Sequence, residues 1–60
     1  MRVQELPKVI QSRYRGRIES ASAGMGTAFH IYTLKYKDMW VCENDKWVMV
    51  KRDVRRNRRS

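Results

Sequence analysis

Residues 27–52, TAFHIYTLKYKDMWVCENDKWVMVKR, crowd together most of the chain's aromatic and β-branched side chains. Such side chains fit a pleated surface better than a helix. The run is broken at two polar pairs, Lys37-Asp38 and Asn44-Asp45, each spaced as a two-residue hairpin turn. Three strands in a meander are therefore predicted, at about 28–36, 39–43 and 46–52.

Those turns set a register. Tyr36 is expected opposite Met39, Leu34 opposite Val41, Val41 opposite Val48, and Met39 opposite Val50. One face then carries Tyr32, Leu34, Tyr36, Met39, Val41, Val48 and Val50. The other carries Phe29, Ile31, Trp40, Cys42, Trp47 and Met49, rimmed by Thr33, Lys35 and Lys51. Both faces are apolar, unlike a sheet with one wet side. Either the sheet curls so that both sides are covered, or one face is left for a partner or for self-association.

Upstream, RYRGRIE (13–19) alternates Arg13, Arg15 and Arg17 with Tyr14, Gly16 and Ile18. Read as a fourth strand, it turns three guanidinium groups outward and Tyr14 and Ile18 onto the meander, with Gly16 marking a bend or bulge. Before it, RVQELPKVIQS (2–12) places Leu6, Val9 and Ile10 at helical spacing with Pro7 in the first turn, favouring a short helix or irregular turn. SASAGMGT (20–27) reads as a loop. Its Gly24-Met25-Gly26 lacks the Lys and Ser/Thr of a phosphate-binding P-loop. The fold class that results is mainly β: a small antiparallel meander or SH3-like, partly open barrel of about four strands.

Sixty residues make one small domain, assigned to 1–52, and DVRRNRRS (53–60) reads as a disordered basic tail. The 14 Lys and Arg against 6 Asp and Glu give a formal charge of +8, a field that attracts nucleic acid or an acidic protein surface. No apolar run approaches a membrane span, and the N-terminus lacks a signal-peptide core. A cytoplasmic location is expected, or the host cytoplasm if the chain is phage-encoded, since its size suits a phage or mobile-element accessory factor. The single Cys42 provides no internal disulfide.

Catalysis is the poorest reading. His30 and Cys42 are the only residues of their kinds and are expected on opposite faces, so neither a Cys–His pair nor a metal site is indicated. No enzyme activity and no cofactor are expected. Binding has more support. Alternate strand arginines lie about 6.8 Å apart, a reach that follows successive anionic groups, and the guanidinium fork suits phosphate. The candidate contacts are Arg13, Arg15, Arg17, Lys35, Lys51 and Arg52, with Arg55, Arg56, Arg58 and Arg59 of the tail. Phe29, Trp40 and Trp47 are candidate base-stacking or hot-spot aromatics. The leading expectation is a nucleic-acid-binding protein of low sequence specificity, for DNA or RNA. The alternative is a protein-binding inhibitor or adaptor that docks on an acidic surface of a larger, nucleic-acid-processing enzyme.

Overall fold

Leu6, Ile10 and Tyr14 recur at every fourth residue, and in the computed structural model, which describes residues 1–55, all three are buried. A 3-10 turn, Val3–Glu5, leads into helix α1, Lys8–Tyr14. Pro7 stands at its N-terminus, where a missing N–H costs nothing, and its carbonyl accepts from the amides of Ile10 and Gln11. Val9, grouped with the apolar spacing from sequence, is 56% exposed instead.

The strand expected over 13–19 does not form. Tyr14 extends the buried stripe of the helix by one more turn, and the chain then reverses through Arg15 (φ 51°) and Gly16 (φ 81°). Glycine suits this left-handed stop. The fourth strand comes instead from the segment expected as a loop, with β1 at Ser20–Ala23. Four backbone registers with β2, Ala28–Tyr32, and the burial of Ala21 outweigh the weak strand preference of Ser and Ala. Gly24 allows the hairpin to close tightly, because a Cβ there would fall 3.0 Å from Nε2 of His30.

Strands β3, Tyr36–Glu43, and β4, Lys46–Val54, complete one antiparallel sheet in the order β1-β2-β3-β4. It is an open meander with β1 and β4 at its edges. Asn44 and Asp45 form the β3–β4 turn at φ 51° and 62°, as their residue types predict. Lys37-Asp38 is not a turn: both residues lie inside β3, and the chain turns at Leu34-Lys35. There the Thr33 hydroxyl accepts from the Tyr36 amide (3.2 Å), while the Thr33 amide donates to the Tyr36 carbonyl (2.9 Å). The expected pairs Tyr36–Met39 and Leu34–Val41 are thereby replaced by Ile31–Asp38 and Ala28–Val41.

Val41 does face Val48, but Met39 pairs with Lys51 rather than Val50. Trp40 pairs with Met49, so Val50 is an extra residue, a bulge in β4. The bulge reverses the alternation beyond it. Arg52 joins the face of Trp47 and Met49, and Lys51 moves to the other face, against the sequence-based placement.

Helix α1 covers the face carrying Phe29, Ile31, Trp40, Trp47 and Met49. The core is Leu6, Ile10, Tyr14, Ala21, Ile31 and Trp40, with Val3, Ile18, Phe29, Trp47 and Met49 packed around it. Ile10 and Ile31 have no solvent exposure, a burial that stabilises by about 1.5–3 kcal/mol for each side chain. The opposite face, with Tyr32, Met39, Val41 and Val48, is half-buried. Tyr36 and Leu34, assigned to that face from sequence, are not part of it: Tyr36 shares the side of Asp38, and Leu34 is in the turn.

Because Asp45 holds a positive φ that glycine adopts without strain, Asp45→Gly is expected to stabilise the fold by about 0.5–1 kcal/mol. A thermal melt should rise by roughly 2–8 °C; no rise would contradict the turn geometry.

Candidate functional site

Among the described residues, one charged side chain lies entirely inside. Asp38 has no solvent exposure, and a lone buried carboxylate is costly. Arg52 meets it with two hydrogen bonds, Nε to Oδ1 at 2.8 Å and Nη2 to Oδ2 at 2.9 Å. The Tyr14 hydroxyl donates to Oδ2 at 2.6 Å and itself accepts from Trp40 Nε1 at 2.8 Å. The helix end, the middle of β3 and the far part of β4 are thus joined by one hydrogen-bonded chain.

Its electrostatics follow. Burial opposes ionisation of Asp38, but the hydrogen bonds from Arg52 and Tyr14 outweigh it and hold the carboxyl below its ordinary pKa. Burial, then donation to Asp38, pushes the Tyr14 hydroxyl up to about 12. The hydrogen bond to Asp38 holds Arg52 more firmly protonated than an ordinary arginine.

Outside this inner network lies an open depression of about 240 Å³ lined by Arg13, Tyr14, Arg17, Thr33, Tyr36 and Arg52. Arg13 projects from the last turn of α1, its guanidinium carbon 5.6 Å from the centroid of the Trp40 ring. Arg17 follows the Arg15-Gly16 reversal, anchored by its amide to the Tyr14 carbonyl at 3.0 Å. Arg52 lies over the Tyr36 ring at 4.4 Å, with its Nε and Nη2 turned to Asp38. Among the described residues, neither Arg13 nor Arg17 enters an ion pair. With Asp38 balancing Arg52, the depression keeps two uncompensated positive charges.

The other sequence candidates are distributed differently. Arg15 is exposed and does not line the depression. Lys35 lines a neighbouring concavity with Arg17. Arg55 is engaged with Glu19 (3.0 Å) and the Thr33 carbonyl (2.6 Å). Lys51 lies on the opposite face beside Asp53 at 3.8 Å. Arg56, Arg58 and Arg59 lie outside the described residues. Trp40 is 3% exposed, so it is a core residue rather than a stacking surface. Phe29 and Trp47 are half-buried and packed on each other, ring centroids 5.1 Å apart, toward the far end of β3. Tyr14, Tyr36 and Asp38 were not among the sequence candidates. The fourfold spacing Leu6, Ile10, Tyr14 is the signal that could have placed Tyr14.

His30 and Cys42 belong to opposite faces of the sheet. Among the described residues no group of His, Cys, Asp and Glu side chains is arranged to hold a metal, and no helix is long and apolar enough to cross a membrane. No family model, curated protein or solved structure compared with the chain matches it.

The network predicts the pH response. The depressed pKa of Asp38 contributes stability that is present above the unfolded carboxyl value of 3.8 and is lost as pH falls below it. The raised pKa of Tyr14 contributes stability present below pH 10.0 and lost as pH climbs towards 12. Denaturant melts across pH should show both shoulders, and Tyr14→Phe should remove the alkaline one. Arg52→Ala strands the buried carboxylate, a loss of about 3–5 kcal/mol at neutral pH. Without Arg52, burial pushes the Asp38 carboxyl up, so this variant should lose less stability on acidification than the wild type. A wild-type-like acid profile in Arg52→Ala would show that the pair does not govern Asp38.

Proposed function

We propose that the chain binds nucleic acid with little sequence specificity, holding backbone phosphate in the depression between the end of α1 and the β2–β3 turn. The observation that carries this reading is the convergence of Arg13 and Arg17, both without an acidic partner, beside Arg52. Guanidinium groups present planar forks matched to phosphate oxygens. Such contacts position a polymer without reading its bases. The net charge of +8 steers a polyanion toward the domain from beyond contact distance, and Lys35 extends the basic surface past Arg17.

Trp40 supports the site from beneath, with Arg13 over its ring and its indole N–H on Tyr14. An acidic protein surface remains the second reading, since the same two free guanidinium groups would meet carboxylates.

Arg13 and Arg17 are the residues to test, because Arg52 also holds the fold. Arg13→Ala/Arg17→Ala should keep the wild-type circular dichroism and melt while losing affinity for a fluorescent oligonucleotide, about tenfold or more at low salt. The slope of log affinity against log salt should become shallower by roughly 1.5, as expected for two lost phosphate contacts. If the wild-type protein at low salt shifts neither duplex DNA, single-stranded DNA nor RNA, the proposal is wrong.

A further inference from the structure

Two more concavities adjoin the arginine depression, and Tyr36 is shared by all three. One, of about 450 Å³, is lined by Arg17, Thr33, Leu34, Lys35 and Tyr36. The next, of about 360 Å³, is lined by Leu34, Lys35, Tyr36, Val54 and Arg55. Leu34 and Val54 are each 75% exposed. An isolated exposed Leu or Val needs no explanation. Here the two occupy the same concavity with Tyr36, the ring that also lines the depression of Arg13 and Arg17.

From the juxtaposition of the arginine depression with this apolar ledge we infer that the polymer bound is single-stranded, one phosphate lying among Arg13, Arg17 and Arg52 and a neighbouring base resting on Leu34, Tyr36 and Val54. This rests on the nucleic-acid reading above. In a duplex the base faces are stacked on one another, so a surface that follows its phosphates meets charge and sugar and has no use for an apolar ledge. An unpaired strand carries each base one sugar away from its phosphate and free to rest on an aromatic or apolar surface. Arg52 covers part of the Tyr36 ring at 4.4 Å and keeps it in place. Lys35 lines both concavities and is without an ion pair among the described residues. It is therefore placed to meet the following phosphate.

The test compares three probes by anisotropy or competition: a single-stranded oligonucleotide, its duplex, and inorganic polyphosphate, which has charge but no bases. The single strand should bind about tenfold or more tightly than the duplex. Leu34→Ser/Val54→Ser alters two exposed side chains and should keep the wild-type melt. It should weaken single-strand binding about tenfold and leave polyphosphate binding unchanged. Equal affinity for duplex and single strand, with no effect of this double variant, overturns the inference while a response to Arg13→Ala/Arg17→Ala still upholds phosphate binding. Loss of response to the arginine variant as well overturns both. A leucine-containing acidic peptide of matched charge that binds more tightly than the single strand, and depends equally on Leu34 and Val54, would overturn it in favour of a protein partner.

Discussion

Leaving the ionised carboxyl of Asp38 buried and unpaired would cost several kcal/mol, comparable with the whole stability expected of a domain this size. Each of its oxygens is therefore tied to a donor, and the donors come from different parts of the chain. Arg52 reaches Asp38 only because the extra residue Val50 reverses the alternation of β4; in an unbroken strand it would point to the other face. Tyr14 reaches Asp38 only because α1 continues through it. The bulge and the helix end are thus geometric requirements of one buried charge.

This explains which parts of the fold were legible. The Asn44-Asp45 turn was, because its residue types announce a positive φ, and it carried with it the Val41–Val48 pairing. The face shared by Phe29, Ile31, Trp40, Trp47 and Met49 was legible as well, since the β2–β3 register differs from the expected one by an even number of residues and the period of β4 persists up to the bulge. Asp38 was not, because an Asp beside a Lys is ordinarily a turn signal, and only a partner fourteen residues away makes it a core residue. The alternation in RYRGRIE was real but misleading. It competed with a fourfold spacing beginning at Leu6, and the burial that helix α1 gains on the sheet decided the outcome. β1 is the complementary case, where tertiary pairing outweighed composition.

Of the residues named from sequence, Arg13, Arg17 and Arg52 line the depression, whereas Tyr14, Tyr36 and the arrangement itself were not legible. Arg13 and Arg17 come together because the helix ends between them: Arg15 and Gly16 turn the chain, and the Tyr14 carbonyl ties down Arg17. Arg15, the middle member of the stripe, is left outside the depression. Arg52 has a different task from its two neighbours. It neutralises Asp38 and supports Tyr36, whereas Arg13 and Arg17 take no part in the buried network and their charge is open to solvent.

Clustering like charges opposes folding, so their position calls for a compensating reason. Arg13 and Arg15 stand at the C-terminal end of α1, where the exposed carbonyls of the helix favour cations, which offsets part of the repulsion. The chain has only 6 acids, and their placement is selective. Asp38 is committed to Arg52, Glu19 to Arg55 and Asp53 to Lys51, while Glu43 faces Lys46 across the β3–β4 turn that contains Asp45, and Glu5 belongs to the N-terminal 3-10 turn. None lines the arginine depression. Counter-charge thus reaches Arg52 from beneath the depression, while Arg13 and Arg17 beside it enter no ion pair among the described residues. Under the proposed reading, those two guanidinium groups are what an anionic ligand would meet.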